Sequence, residues 1–497
     1  MNTSTADIVL PNKALTGLLV NGEWIAPSSG KTISITNPSR RQPIVEIGSS
    51  GAEDVDLAVT AAAQAFPAWR KQAARSRGAA LTAFAERVSG HAEDLARLLA
   101  AETGNALRTQ SRGEINGAVE VLRYYGATAS EQKGETLPLG PDMFSYSTRE
   151  PLGVVGAIIP WNSPVVLAAV KIGMALATGN TLVLKPAEDA PLAVIRMIEI
   201  AQDQFPAGVL NVTTGPGSVA GSALADHPRV AKVSFTGSSE VGRSISHAVA
   251  DRIGHATLEL GGKSPSIVFP DAARNENELD ELVANLVGAL RFARQGQSCT
   301  AGSRLFLHKS LWEQVMPRLI TAVNELVIGD ALDEASDVGA VINEERYEEI
   351  RSFLTEAKDL GATFAAGEVP APVDDVDSLA PKPVVITDVD NTWRISREEI
   401  FGPVLVVMPW SEEDEVITAA NDTDYGLAAY VFTHDSKTAL RVTAALEAGW
   451  IQVNQAGGQV PGMSYGGVKQ SGIGSEYSIE GALESYTTRK GITFRVS

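Results

Sequence analysis

The chain of 497 residues has a single cysteine, only six histidines and no excess of basic charge. One thiol excludes an internal disulfide and any multi-thiolate metal centre. The histidines (His91, His227, His247, His255, His308 and His434) are scattered without ligand spacing, so no metal site is expected. Lysine plus arginine number 41 against 60 acidic residues, a net charge of −19, which argues against nucleic acid or an anionic membrane as partner. Long apolar runs are missing as well: the run from Val154 is stopped at Pro160, Trp161 and Asn162, far short of the ~18 residues a membrane span needs. The N-terminus has no basic start followed by an apolar core, so no signal peptide is expected and a cytoplasmic location is. What is present, 44% hydrophobic and 20% charged residues, is the composition of a globular chain with large cores in two or three domains.

Alternation organises the rest. In the first fifty residues the β-rich pieces GLLVNGEWI and KTISITNP alternate with turn residues, predicting an N-terminal hairpin at the edge of a larger unit. Alanine- and leucine-rich helical patterns follow from about Ala52 to Ala129. From Val154 the runs VVGAII, TLVLK, GVLNVT, AKVSFTG and ATLEL alternate with helical stretches opening at Pro164, Pro191 and Ser238, the pattern of a doubly wound parallel sheet. ELDELVANLVGALRFA, from Glu278, carries apolar residues at helix spacing, and Gly296 is expected to break the pattern and leave Cys299 on a loop. A second alternating region runs from about Ser303 to Phe432, interrupted by AAGEVPAPVDDVDSLAPKP, which reads as a surface loop. FSYSTRE and the final SYTTRKGITFRV read as partner strands.

The lone thiol lies in RQGQSCTAGSR, among Gln295, Gly296, Gln297, Ser298, Thr300, Gly302 and Ser303. A free cysteine is most often a small buried hydrophobe, but such a residue should have apolar company. A nucleophile instead needs an approachable loop and backbone N–H groups to receive developing negative charge. In KVSFTGSSEVGRSI a strand ends at Phe235, Gly237 and Ser238 open a helix, and Gly242 occupies its next turn. Glycine allows close backbone approach, and a helix N-terminus favours an anion such as pyrophosphate. Asn162, Lys185, Glu188 and Glu259 end neighbouring strands, and ligands of open α/β sheets gather outside those carboxyl ends. Desolvation of Glu259 between Leu258 and Leu260 would push it towards the neutral form, which suits a general base working near neutral pH.

The motifs PWNSP, LVLKPAE, FTGSSEVG, LELGGKSP, GQSCTAGSR, EEIFGPV and YGGVKQSGIG stand in the order seen in the NAD(P)-dependent aldehyde dehydrogenase superfamily, which the chain resembles from VNGEWI to its terminal strand. The resemblance implies an α/β fold with a doubly wound cofactor domain (residues 1–128 and 151–260) and an α/β catalytic domain (261–470). A small β element (129–150 and 471–497) would bridge subunits of a homodimer or homotetramer. It further implies oxidation of an aldehyde to its acid. Cys299 as thiolate would attack the carbonyl, with the oxyanion held by the Asn162 amide and the Cys299 N–H. Hydride would pass to nicotinamide, and Glu259 would activate the water that hydrolyses the thioester. The thiol, ordinarily at a pKa of ~8.5, would need only modest lowering. Lys185 and Glu188 would meet the adenosine ribose, the carboxylate favouring NAD over NADP. Gly237, Ser238 and Gly242 would flank the pyrophosphate, Ile159, Trp161, Phe235 and Leu260 would line the path, and Glu399 and Phe401 would hold the nicotinamide ribose. Lys171 and Glu476 match a pair that relays protons in relatives.

Departures from the family pattern concern the substrate. Ser163, Val170 and Ala293 stand where larger aromatic residues are common, and Tyr465 stands where phenylalanine is usual. With Ser298 and Thr300 flanking the nucleophile, these residues imply a tunnel wide enough for an aromatic or branched aldehyde. Arg294 replaces a common asparagine. Ser475 replaces an arginine often found beside the relay glutamate. Two other readings stand beside this one: a CoA-acylating semialdehyde dehydrogenase, whose members commonly lack a glutamate at the place of Glu259, and a non-catalytic protein that retains the fold.

Overall fold

The computed structural model describes residues 8–496. Its largest sheet has eight strands in the order Gly472–Ile473, His255–Glu259, Val230–Thr236, Val154–Ile158, Thr181–Lys185, Leu210–Thr213, Leu18–Val20 and Glu23–Ile25. The five strands from His255–Glu259 to Leu210–Thr213 run parallel, as the alternating runs predict. GLLVNGEWI is by itself the hairpin expected at the edge, pairing antiparallel onto Leu210–Thr213. KTISITNP instead pairs with Gln42–Gly48 in a separate two-stranded sheet. At the opposite edge Gly472–Ile473 pairs with His255–Glu259, so a piece of the C-terminal segment joins this sheet rather than the terminal strands.

A seven-stranded sheet follows, in the order Thr363–Ala366, Val384–Thr387, Val404–Trp410, Arg304–His308, Pro265–Val268, Ala428–Phe432 and Trp450–Val453. Only Thr363–Ala366 pairs antiparallel. Its central strands are buried over most of their length, which is why they are mostly apolar rather than alternating with polar residues. The Pro- and Asp-rich insert between 365 and 383 holds one 3₁₀ turn, Val373–Asp375. It is pinned rather than loose, because the Arg41 guanidinium donates to the Val373 and Val376 carbonyls at 2.8 and 2.6 Å. The terminal strand Thr487–Arg495 pairs antiparallel with Met143–Pro151 along its whole length, as expected, and Thr136–Leu137 completes that sheet.

Two helices position the site. Pro164–Ala177 starts with proline at its first turn, where the missing N–H costs nothing, and is buried almost throughout, with Lys171 its one charge. Glu276–Leu290 is capped by Asn275, whose side chain accepts from the Glu278 amide at 3.1 Å. It ends earlier than Gly296. Arg291 turns left-handed at φ 62°, a 3₁₀ turn spans Phe292–Arg294, and Gln295 and Gly296 also have positive φ. Gly296 is needed for a different reason: a Cβ there would lie 2.0 Å from the Gly402 carbonyl oxygen.

Among the described residues no helix is long and apolar enough to cross a membrane, and no group of three His, Cys, Asp or Glu side chains could hold a metal ion.

Candidate active site

A crevice runs along the carboxyl ends of the parallel strands. One part, about 660 Å³, is lined by Ile159, Trp161, Lys185, Glu188, Phe235, Gly237 and Ser238. The adjoining part, about 390 Å³, shares Trp161, Gly237 and Ser238 and reaches Asn162, Glu259, Leu260, Cys299, Glu399 and Phe401. The residues drawn from separate strand ends therefore meet in one groove, with the sulfur at its inner end.

At the outer end Lys185 Nζ pairs with Glu188 Oε2 at 2.9 Å, and Glu188 Oε1 accepts from the Gly217 amide at 3.0 Å. Burial pushes Lys185 down. Burial also opposes ionisation of Glu188, but Lys185 and the Gly217 amide outweigh it and hold the carboxylate below its usual range. Ser238 caps the helix Ser239–Ala250, accepting from the Val241 amide at 3.3 Å. The glycines beside it answer to packing: a Cβ on Gly237 would fall 2.4 Å from the Phe235 ring, and one on Gly242 2.6 Å from the Leu260 side chain. Both neighbours line the groove, so the glycines let its apolar floor lie flat against the backbone.

Glu399 accepts from the Gly262 amide at 2.9 Å, and burial raises it to about 7. Phe401 meets Trp161 edge to face at 5.3 Å. Its φ of 54° is a strained value for a bulky residue, the kind of outlier that persists where the surroundings over-determine it.

The loop that carries Cys299 is polar for a reason the sequence does not disclose. Gln295 and Gln297 are fully buried and act as staples. Gln295 Nε2 donates to the Gly104 carbonyl at 3.1 Å, and Gln297 Oε1 accepts from the Ile342 amide at 3.0 Å. Asn162 Nδ2 donates to the Gln297 carbonyl at 3.0 Å, tying the end of one strand to this loop. Gly262 packs on the loop so closely that a Cβ would lie 2.3 Å from the Cys299 carbonyl oxygen. Cys299 itself is only partly buried, its Sγ 3.5 Å from Tyr465 Oη.

In the protein alone, burial pushes the Cys299 thiol up to about 11; Glu399 and Glu259 add to this, while the Tyr465 hydroxyl and Arg294 oppose it. Glu259 is raised well above the carboxylate range by burial and by Glu476, against Lys171. Both its oxygens are buried without a hydrogen-bond partner. In the protein alone, burial thus favours the protonated form of both the thiol and the carboxyl. An orphaned carboxyl in such a place is expensive unless water or a reacting group serves it.

Of the residues assigned to the substrate side, Ser163, Val170, Ser298, Thr300 and Tyr465 are buried and Ala293 is partly so. Ser298 and Thr300 hydroxyls bond each other at 3.1 Å, and the Ser163 hydroxyl has no partner. Lys171 pairs with Glu476, both fully buried. Sequence reading missed an aromatic cluster behind Tyr465, in which Trp450 and Tyr477 lie edge to face with it at 5.8 and 5.6 Å. These residues are isolated in sequence, so no spacing signals them. Arg294 pairs with Gln110: with the Gln110 amide oriented to satisfy both groups, its side-chain oxygen accepts from Arg294 Nε at 3.0 Å. The Arg294 charge also opposes the rise in the Cys299 pKa.

The chain is similar to known proteins over nearly its whole length. The chain is 39% identical to hydroxyisobutyraldehyde dehydrogenase of Mycolicibacterium austroafricanum (96% of this chain, 93% of that one). It is 38% identical to phenylacetaldehyde dehydrogenase of Pseudomonas fluorescens (96% and 95%). Among solved structures, an aldehyde dehydrogenase from Bacillus cereus in complex with NAD+ superposes with a TM-score of 0.93 at 36% identity, over 99% of this chain and 100% of that one. Residues 24–492 match the aldehyde dehydrogenase family, and the chain belongs to that family of oxidoreductases.

Proposed function

We propose that the protein oxidises an aldehyde to its carboxylic acid with NAD, through a thioester on Cys299 that water hydrolyses. The observation that carries this reading is the meeting of Cys299, the unpartnered carboxyl of Glu259 and Glu399 in one groove. Residues present fit the dinucleotide: Lys185 and Glu188 would hold the adenosine ribose, Ser238 and the following helix N-terminus the pyrophosphate, and Glu399 and Phe401 the nicotinamide ribose. When bound, NAD supplies the hydride acceptor. The carboxylate of Glu188, which would repel a 2′-phosphate, supports NAD over NADP.

Cys299 adds to the carbonyl carbon and gives its proton to a neighbouring acceptor; the new oxyanion falls to Asn162 Nδ2, which has a second N–H to offer, and to the loop backbone. Glu259, in its carboxylate form, then takes a proton from water as the water oxygen bonds to the acyl carbon, the C–S bond breaks and the sulfur leaves as thiolate. A carboxyl with no standing hydrogen bond is free to bind that water, which favours hydrolysis over transfer to CoA. The small side chains of Ser163, Val170 and Ala293 support an aromatic or branched aldehyde, in keeping with the names of the two relatives. Exposed Phe144 and Phe494 on the terminal sheet support a homo-oligomer, and a single cysteine without a disulfide fits the cytoplasm. The division into cofactor, catalytic and bridging units belongs to the same proposal.

The test is a panel of aliphatic, aromatic and branched aldehydes with NAD and NADP, following absorbance of the reduced cofactor. Turnover should be highest with NAD and a ring-bearing or branched substrate and vanish in Cys299→Ser. Full turnover by Cys299→Ser, or strict preference for acetaldehyde, overturns the corresponding part.

A further inference from the structure

The wall behind Cys299 is built of four buried aromatic side chains that stand apart in sequence. Tyr465 meets Trp450 edge to face at 5.8 Å and Tyr477 at 5.6 Å, and Trp450 in turn meets Tyr430 at 6.2 Å. The wall is fastened to the loop it serves, because the Tyr430 hydroxyl donates to the carbonyl of Thr300, the residue after Cys299, at 2.9 Å. The backbone of Tyr465 is held as well, exchanging hydrogen bonds with that of Glu476 at 3.0 and 2.7 Å. Gly466, next in the chain, packs so near the strand end that a Cβ there would lie 3.4 Å from Glu259 Oε1. Tyr465 is therefore fixed on the side of the sulfur where Glu259 also lies.

The wall does not need the Tyr465 hydroxyl. A phenylalanine ring would complete it without a polar atom to desolvate. Buried phenols usually find a partner for their O–H, and among the described residues the only hydrogen-bond partner of Tyr465 Oη is Cys299 Sγ, at 3.5 Å. The titratable groups that act on the sulfur are Glu399, Glu259, Arg294 and the phenols of Tyr465, Tyr430 and Tyr477. The two carboxyls oppose negative charge there and Arg294 favours it; of the phenols, only Tyr465 is bonded to the sulfur. Burial, Cys299 and Glu259 raise Tyr465 well above the usual phenol range, so its hydroxyl keeps its proton and remains a donor.

We infer that Tyr465 is a catalytic residue whose hydroxyl donates a hydrogen bond to the Cys299 sulfur whenever that sulfur carries negative charge, first as the attacking thiolate and again as the group expelled from the thioester. The inference rests on the reading of Cys299 as nucleophile given above. A thioester sulfur accepts a hydrogen bond weakly and a thiolate accepts one strongly. The contact therefore tightens as the C–S bond breaks and its electron pair passes to sulfur, and stabilisation that grows only then lowers the barrier. No proton leaves Tyr465 in either step: Glu259 takes the proton of water, and the phenol O–H bond stays intact. Because the aromatic wall fixes the ring, the donor is already aimed when the charge develops.

The experiment compares Tyr465→Phe, which removes one oxygen and keeps the ring, with Tyr465→Leu, which removes both. The chain has a single cysteine, so alkylation of the cofactor-free protein by iodoacetamide, followed by intact mass, reads this sulfur alone. Both variants should move the rate profile up by about one pH unit, a roughly tenfold loss of rate below the plateau. After acetylation of Cys299 by p-nitrophenyl acetate, loss of the acetyl group should slow several-fold in both. A change in KM for the aldehyde confined to Tyr465→Leu separates the ring's part in the tunnel from the hydroxyl's part at the sulfur. A Tyr465→Phe profile that coincides with the wild type, or that moves to lower pH because the thiol was the donor, overturns the inference. Failure of a different kind, no acetylation of wild-type Cys299 or full turnover by Cys299→Ser, overturns the reading of Cys299 as nucleophile.

Discussion

At the scale of the residue, the sulfur is held back rather than primed. With the thiol at about 11, alkylation by iodoacetamide at neutral pH should run on the order of a hundredfold slower than for an ordinary cysteine. The rate should climb as pH rises towards that value. Added NAD should accelerate it, since a positive ring in the groove opposes the acidic neighbours that hold the proton on. Rates measured against pH with and without cofactor check this; fast alkylation of the free protein at neutral pH contradicts it. The position of Cys299 on a loop past a helix was legible from the loss of helix spacing and the polar letters around it. Its environment was not, because those letters describe buried staples: Gln295 and Gln297 reach Gly104 and Ile342, residues far away in sequence.

At the scale of the element, strand ends and helix starts were the most legible part, since alternation and capping are local. The parallel runs, the Ser238 cap and the helix opening at Pro164 all stand where the pattern puts them. Packing across elements was not local, and there the meaning of the glycines changed. Gly237 is small because the Phe235 ring lies over it. Gly237→Ala should therefore tilt that ring into the groove, raising KM for NAD several-fold while the melting temperature moves little, because the obstructing atoms belong to one side chain. Gly262→Ala is the contrasting case, since its clash is with the backbone of the Cys299 loop. It should lower kcat and cost about 1–3 kcal/mol of stability by overpacking. Steady-state kinetics and thermal unfolding of the two variants separate these outcomes; equal behaviour would contradict the packing account.

At the scale of the whole molecule, the terminal strand and Met143–Pro151 form an arm whose aromatic residues face outward. Phe144 and Phe494 are about half exposed and stack on each other at 6.5 Å. Apolar rings of this size on an open sheet are expected to be covered by another copy of the chain. Phe144→Ser combined with Phe494→Ser should shift the protein to a smaller species in size-exclusion chromatography with light scattering, with the groove residues untouched. An unchanged mass places the contact elsewhere.

The staples of the Cys299 loop have a consequence for the life of the chain. Gly104, Ile342 and Gly402 all grip the stretch around Cys299, and two of the three emerge from the ribosome after it. Until the last of them arrives the only sulfur nucleophile in the chain has no shelter and no partners. Electrophile damage should therefore fall on the newborn polypeptide more than on the finished enzyme, and recovery of catalysis during refolding marks the moment when distant segments have locked together.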